Sequence, residues 1–183
     1  MVAILATEQI VDVLIVEPDS HGDSRGRFVE SYRRNWFPLG REMVQGNRSE
    51  KEKNAIVGFH YHLHQADYWY PLRGKLRVIL VDLRVGSPTE KNLFTIDLDG
   101  AEDRGIFIPP GVAHGFSTIT DVLLTYMVDG YYNQNDELGV AYNDPELAAD
   151  WLIENPIVSN RDMNNPLLKD IPSHLVPHYP MRT

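Results

Sequence analysis

Short segments of alternating apolar and polar residues constrain the fold of this chain more than any other feature of the sequence. Successive side chains of a β-strand point to opposite faces, so such alternation indicates strands with one buried face. Gly, Pro, Asn and Asp cluster between the segments, where they favour turns. Short, regularly spaced strands of this kind predict a sandwich or a barrel. The candidate strands are residues 11–16, 27–32, 54–64, 75–84, 93–98, 104–108, 115–119 and 123–132.

One helix is expected near the C-terminus, over residues 144–151. Asp144 suits the N-cap position and Pro145 suits the first helical position. Pro and Asn become frequent after this segment, so we expect an extended tail from about residue 163 that packs on the barrel. The sequence contains no repeat and no linker-like stretch. We therefore expect a single domain that spans residues 1–183.

The composition excludes several classes of function. The net charge is −9 and the acids and bases are interspersed, so no basic surface predicts nucleic-acid binding. Apolar runs such as residues 106–110 are too short to cross a bilayer. Glu8 and Asp12 interrupt the N-terminal apolar stretch, unlike a secretion signal. The sequence has no cysteine, which excludes thiolate metal ligands and suits a reducing compartment. We expect a cytoplasmic protein that binds neither nucleic acid nor a membrane.

Four histidines and an aspartate form the strongest chemical signal. His60, His62 and His64 alternate on a candidate strand and should point to one face. Asp67 follows them, and His114 comes after a Pro-Gly turn. Such a cluster inside a small barrel is either a proton-transfer site or a metal site. The nitrogen and oxygen donors of His60, His62, Asp67 and His114 would suit one divalent transition metal.

The spacing of these residues is similar to the two motifs of the cupin superfamily, with Asp where Glu is usual. The resemblance implies a mainly β fold, a cupin-type double-stranded β-helix (a jelly-roll barrel), to which we add the short C-terminal helix. It also raises a metal-dependent cupin enzyme as an alternative function. The matching segments are His60-x-His62-x4-Asp67-x6-Gly74 and Pro109-x-Gly111-x2-His114.

A second resemblance covers about residues 11–163. The segments that carry it, in chain order, are Asp23-x-Arg25-Gly26-x-Phe28-x-Glu30, Gln45-x-Asn47-x-Ser49, Gly58-Phe59-His60-Tyr61, Val81-Asp82-Leu83-Arg84, Pro109-Pro110-Gly111-Val112-Ala113-His114, Tyr126, Tyr142-Asn143-Asp144-Pro145 and Ser159-x-Arg161-Asp162. This ordered set resembles the nucleotide-sugar 3,5-epimerase family, which includes dTDP-4-dehydrorhamnose 3,5-epimerase. The resemblance implies a homodimeric isomerase, without cofactor or metal, for deoxysugar and polysaccharide biosynthesis. Its substrate would be a nucleotide-linked 4-keto-6-deoxysugar, epimerised at C3, C5 or both.

The family reaction assigns roles to these residues. A proton beside the ketone is removed to give an enolate, and a proton returns from the opposite face, which requires a base, an enolate stabiliser and an acid. By resemblance, His60 is the base, Asp162 orients it, and Tyr126 is the acid. Arg25 is expected to bind the diphosphate. The full set of expected substrate-binding residues, some of them acting across the dimer, is Arg25, Phe28, Glu30, Gln45, Asn47, His114 and Tyr131.

Two positions depart from the family pattern. Val57 stands where the family has an arginine, and Asp67 stands where it has a lysine near the enolate oxygen. A carboxylate there opposes enolate formation unless a cation neutralises it. Three arrangements remain open. A metal on Asp67 acts as a Lewis acid, or a His62 or His64 imidazolium replaces the lysine. In the third, the family reaction is lost, and the chain acts on another nucleotide-linked keto sugar, epimerises only one carbon or merely binds. His60 cannot be ligand and base together, because a metal-bound nitrogen has no free lone pair. We expect the base to survive.

Overall fold

The computed structural model describes residues 1–38 and 40–180 and is built mainly from β-strands. Its first sheet has the order β1 (Ala3–Ala6), β2 (Leu14–Glu17), β10 (Gly105–Ile108), β7 (Asp67–Arg73), β12 (Val122–Val128) and β5 (Gln45–Lys51). The second has the order β13 (Leu138–Gly139), β6 (Ala55–Tyr61), β11 (Val112–Thr118), β8 (Lys75–Asp82) and β9 (Leu93–Asp99). A short strand, β14 (Ile157–Val158), pairs in parallel with β6. The remaining two strands, β3 (Ser20–Asp23) and β4 (Gly26–Val29), form a separate hairpin.

The eight candidate strands are all present, with ends displaced by a few residues. The sequence did not reveal six of the described strands, and the two longest of these, β5 and β7, were missed for two different reasons. β5 (QGNRSEK) has no apolar residue by which alternation could be recognised. Asp67–Pro71 of β7 is buried on both faces, so its aromatic side chains do not alternate with polar ones.

The main hydrophobic core lies between the two sheets. Trp69, Ile106 and Leu124 from the first sheet belong to one buried cluster with Leu80 and Phe116 from the second. Alternate residues of the same strands point away from this core, as the strand period requires. The two sheets therefore hold a shared interior, and one end of that interior remains open as a cavity.

Other segments cover the outer face of each sheet. Trp36 and Phe37 pack on Tyr68 and Phe107 of the first sheet, and the Phe37 and Phe107 ring centroids are 5.0 Å apart. The 3-10 helix Arg34–Trp36 presents this pair. Because both outer faces carry apolar side chains, each sheet needs this second layer to bury them.

The C-terminal tail covers the outer face of the second sheet, the one that contains β6, β11 and β8. Residues beyond Met163 run in the 3-10 turns Leu168–Asp170 and Ser173–Leu175, and Leu168 and Ile171 pack against the cluster that contains Ile79. Near the end, Val85 forms a β-bridge with His178. In the described part of the chain, no helix has the length and apolar character needed to cross a membrane.

The helix predicted over residues 144–151 is wrong, because this segment forms turns. The Asp144 carboxylate accepts the N–H of Glu146 at 2.8 Å, as a cap would, but also the N–H of Leu168 in the tail at 2.6 Å. The chain then turns through Ala148, whose φ is +46°. Within the described ranges the one α-helix is α1 (Asn160–Met163), where the Ser159 hydroxyl accepts the Asp162 N–H. Tertiary contact with the tail therefore overrides the local signal for a helix start.

Candidate active site

A cavity of about 210 Å³ opens between the two sheets. Its walls come from β6 and β11 on one side and from β5, β7 and β12 on the other. The lining residues are Ser49, Lys51, Val57, His60, His62, Gln65, Asp67, Trp69, His114, Phe116, Leu124, Tyr126, Glu137 and Arg161. Two larger cavities, of about 390 and 520 Å³, lie under the tail and contain none of the expected catalytic residues.

Two glycines allow β6 and β11 to approach closely at the cavity. A Cβ on Gly58 would lie 2.7 Å from the Gly115 Cα and from the His114 carbonyl oxygen, and the φ of Gly58 is +110°. A Cβ on Gly115 would lie 2.8 Å from the Val57 carbonyl oxygen. Side chains at either position would push the strands apart. The close approach places His60 opposite His114 in the strand register, so both line the cavity.

His60 pairs with the buried Asp162. The His60 Nε2 lies 2.7 Å from Oδ1 of Asp162, whose residue is only 3 % exposed. Burial raises the pKa of Asp162, but its hydrogen bonds with His60 and with the Gly58 N–H outweigh this and hold the pKa below its usual value. Since an ionised carboxylate only accepts hydrogen bonds, Nε2 carries the proton. The free lone pair of His60 is therefore on Nδ1, where it can accept a proton.

Tyr126 stands on β12, in the sheet opposite His60, and lines the same cavity. Desolvation is the main cause that raises its pKa, and the negative charges of Asp67 and Glu137 raise it further. The phenol is therefore protonated at neutral pH and can donate a proton. The cavity thus has a proton acceptor on one wall and a proton donor on the other.

A second cluster, formed by His62, Asp67 and His114, is buried in the wall of the cavity. These three residues are 5 %, 4 % and 4 % exposed. The Nδ1 of His62 is 2.7 Å from the Asp136 carbonyl oxygen, and the Nδ1 of His114 is 3.0 Å from the Val112 carbonyl oxygen. Their Nε2 atoms lie 3.8 and 4.0 Å from the two oxygens of Asp67. Burial is the main cause that lowers the pKa of His114 to about 4, so this ring is neutral at neutral pH.

The structure corrects two expectations about the histidines. β6 ends at Tyr61, and the Asp136 carboxylate accepts backbone N–H groups from the loop that follows, including that of His64 at 3.2 Å. The alternation therefore stops, and His64 is exposed and lies against a different cavity. In the described residues, the group with metal-ligand spacing is His62, Asp67 and His114, and it does not include His60. The geometry therefore separates His60 from the other three members of the expected four-ligand set.

Some of the expected substrate-binding residues lie along the inner face of β5. Gln45, Asn47, Ser49 and Lys51 alternate on this strand and are all partly buried, whereas the residues between them are exposed. The Gln45 side chain donates to the Asn47 side chain at 3.0 Å. Of these four residues, Ser49 and Lys51 line the cavity. Gln45 and Asn47 continue the same inner face beyond the rim of the cavity.

His114 lines the cavity, but the other expected contacts lie outside the cavity of the same chain. Arg25 is at the tip of the β3–β4 hairpin and pairs with Asp23. Phe28 on the same hairpin is 70 % exposed, and Tyr131 is 77 % exposed. Glu30 forms an ion pair with an arginine three residues later. The structure therefore does not place these four residues near His60 or Tyr126.

Three charged residues of the cavity were not singled out from the sequence as site residues. Lys51 and Arg161 supply positive charge, and Glu137 pairs with Arg161 at 3.3 Å. Arg161 lies in a segment that resembles the family, and its place next to Asp162 in the sequence could have indicated that it belongs to the site. Lys51 could have been found only by recognising β5 as a strand with an inward polar face.

A sequence model of dTDP-4-dehydrorhamnose 3,5-epimerase matches residues 7–170 of the chain. The chain belongs to this family. It is 34% identical to a dTDP-4-dehydrorhamnose 3,5-epimerase of Shigella flexneri over 164 residues, which cover 85% of this chain and 91% of the relative. It is 35% identical to a dTDP-4-dehydrorhamnose 3-epimerase of Streptomyces niveus over 163 residues, which cover 85% of this chain and 79% of the relative.

A solved structure supports the same assignment. The 3,5-epimerase of Legionella pneumophila Philadelphia 1, in complex with dTDP-4-keto-L-rhamnose, superposes with a TM-score of 0.91 at 32% identity. The match covers 98% of this chain and 100% of that one. These similarities confirm the expected family, the cupin-type β fold and the isomerase class of the enzyme. The chain is an epimerase of the nucleotide-sugar type.

Proposed function

We propose that this enzyme epimerises a dTDP-linked 4-keto-6-deoxysugar at C3, C5 or both through an enolate intermediate. The observation that carries the proposal is the pair formed by His60 and Asp162, with Tyr126 on the opposite wall of the same cavity. Inversion at carbon requires removal of a proton from one face and delivery to the other, and this arrangement supplies both groups.

The His60–Asp162 pair is suited to act as the base. The buried carboxylate holds the ring by Nε2 and stabilises the imidazolium that forms when Nδ1 accepts a proton. The Gly58 N–H and the short helix α1 fix the carboxylate itself. Tyr126, whose pKa is raised, remains a phenol and donates its proton to the enolate carbon from the other side.

The size of the cavity indicates which part of the substrate it holds. Pockets that enclose whole drug-sized ligands measure about 300–1,000 Å³, and this cavity measures about 210 Å³. It therefore suits the sugar ring, while the nucleotide extends along the inner face of β5 past Asn47 and Gln45. The Gln45 side-chain oxygen accepts the Tyr132 N–H at 3.2 Å, which places an exposed aromatic ring at the end of this path.

We further propose that the enzyme works in the cytoplasm as a homodimer, in deoxysugar supply for polysaccharide or metabolite biosynthesis. The exposed β3–β4 hairpin supports the dimer, because Arg25 and Phe28 extend away from their own cavity. An exposed phenylalanine and an arginine together suit a base and a diphosphate bound in the partner's site. Family membership supports the pathway class.

Proton NMR of dTDP-4-keto-6-deoxyglucose with the enzyme in deuterated water tests the function. Loss of the H3 or H5 signal is the expected result and reports which carbon is enolised; the relatives include both 3,5- and 3-epimerases. His60→Ala should abolish the loss, whereas His64→Ala, which alters an exposed histidine of the next loop, should not. Unchanged signals with a ligand-induced rise in melting temperature would instead identify a binding protein without epimerase activity. Full exchange by His60→Ala would show that another group is the base.

A further inference from the structure

The cluster of His62, Asp67 and His114 has no role in the proton transfers assigned above. We propose that these three side chains bind a divalent transition-metal ion, which polarises the ketone oxygen of the substrate. The metal-binding part of the proposal is independent of the proposed function, and the catalytic part rests on it. A lysine occupies the position of Asp67 in the family pattern, so an ion at this place would restore the missing positive charge.

The orientation of the two imidazole rings supports a metal site. Each ring places its Nδ1 within 3.0 Å of a backbone carbonyl oxygen, Asp136 for His62 and Val112 for His114. A carbonyl oxygen only accepts, so both Nδ1 atoms carry the proton and both Nε2 atoms carry lone pairs. Histidines that ligate metals are held in this way by their second nitrogen.

Both Nε2 lone pairs are directed at one carboxylate. They lie 3.8 and 4.0 Å from the two oxygens of Asp67, too far for hydrogen bonds. The other groups that hold Asp67 are neutral donors: the Gln65 amide at 2.9 Å and the Trp69 indole at 3.1 Å. A cation between the carboxylate and the two lone pairs would stabilise all three groups. One proton on one ring could satisfy one of the nitrogens, whereas a metal ion satisfies both.

The distances match a metal site that contracts slightly on binding. The three ligand atoms all lie within 4.8 Å of one another. Metal bonds of about 2.1 Å place the ligand atoms of a tetrahedral site about 3.4 Å apart. Two histidines and one carboxylate leave coordination positions open to exogenous ligands, a pattern found in zinc and iron enzymes. The cavity provides access for such a ligand, because all three side chains line it.

This three-ligand set removes the conflict between metal binding and base catalysis. His60 is held by Asp162 and keeps its Nδ1 lone pair. When bound, a divalent ion supplies Lewis-acid polarisation of the ketone. The C–H bond breaks, its proton passes to His60 Nδ1, and the electron pair moves to the ketone oxygen. The enolate then takes a proton from the Tyr126 hydroxyl, and both side chains are reset by exchange with water, without any redox change.

The test uses tag-free enzyme, because an affinity tag of histidines would bind metal itself. The chelator-treated protein is titrated with ZnCl₂ by calorimetry, and its metal content is measured by mass spectrometry after gel filtration. We expect about one Zn²⁺ per chain, and visible absorption bands when CoCl₂ replaces ZnCl₂. Asp67→Asn and His62→Gln should weaken Zn²⁺ binding by more than about 100-fold, and Gln65→Ala by about 10-fold. The matched control His64→Ala should bind as the wild type does.

The outcomes separate this inference from the proposed function. A wild-type chain that binds Zn²⁺ no better than Asp67→Asn, with both proteins folded by melting temperature, would overturn the metal site in favour of a protonated His62. Metal binding without any exchange of H3 or H5 would leave the metal site standing and refute the epimerase function. Exchange at an undiminished rate by the metal-free wild type would refute the catalytic role of the ion and leave the function standing.

Discussion

Asp162→Asn tests the assignment of the base most directly. The residue is 3 % exposed, and its Oδ1 lies 2.7 Å from His60 Nε2. An asparagine of the same shape can donate its amide N–H to Nε2, which leaves the ring proton on Nδ1, where the base needs a lone pair. The variant also loses the charge that stabilises the imidazolium. General-base catalysis contributes about 10²–10⁴-fold to a rate, so we expect a loss in this range, equivalent to about 2.7–5.4 kcal/mol in the barrier.

The assay is the rate of deuterium incorporation at C3 and C5, followed by NMR at saturating substrate. The matched control is Asp170→Asn, which changes the same atoms at an exposed position of the tail. Equal melting temperatures of the two variants would exclude unfolding as the cause of a loss. An Asp162→Asn enzyme that exchanges at more than about a tenth of the wild-type rate would refute the reasoning, because the orientation of His60 would then not depend on the carboxylate.

Three further changes have predicted outcomes. Tyr126→Phe should lower the rate of inversion by about 100-fold and slow exchange less, because the proton is still removed by the base; product NMR and exchange NMR separate the two rates. Asp82→Asn should destabilise the fold by about 3–5 kcal/mol in urea unfolding at pH 7, since Asp82 receives two hydrogen bonds from the buried Arg84 side chain. Burial raises the pKa of Asp82, but the hydrogen bonds from Arg84, Ser87 and Thr89 outweigh this and hold the pKa below its usual value. The stabilisation is therefore complete above about pH 5 and is lost as the pH falls through the lowered pKa. Gly115→Ala should lower the melting temperature, because its Cβ would lie 2.8 Å from the Trp151 ring and from a backbone oxygen, with an expected cost of about 1–3 kcal/mol.

Each of these predictions has a clear contrary result. Equal loss of exchange and inversion in Tyr126→Phe would mean that the phenol acts before the enolate forms. A difference between wild type and Asp82→Asn that stays constant from pH 7 to pH 3 would show that the ionised carboxylate is not the source of the stability. An unchanged melting temperature in Gly115→Ala would show that β6 and β11 can separate without cost.

The sequence predicted strands that are rich in apolar residues, and it failed where a strand is polar or where a distant contact decides the local structure. β9 alternates clearly and β8 contains the apolar run of residues 78–81, and both were found, whereas β5 has only polar and charged residues around one glycine. Residues 144–151 contain every local signal of a helix start, yet Asp144 binds the Leu168 N–H, 24 residues further along the chain. No local pattern can report a partner at that separation.

The same dependence on distant contacts decides which site residues could be predicted from the sequence. His60, Tyr126, His114 and Asp162 were identified in advance because each stands in a segment whose order resembles the family, and the structure places them around or against one cavity. The orientation of His64 was not predictable, because the end of β6 depends on a carboxylate 72 residues further along the chain that binds the loop.

The position of β5 at the edge of its sheet has a consequence for how this enzyme can diversify. Its one neighbour in the described sheet is β12, and its inward side chains belong to none of the three hydrophobic clusters. On the nucleotide path proposed above, substitutions at Gln45, Asn47, Ser49 or Lys51 would alter contacts with the nucleotide while leaving the packing of both sheets intact. Selection for a new sugar nucleotide could then act on this strand at little cost in folding, because the proposed binding path and the hydrophobic core use separate sets of residues.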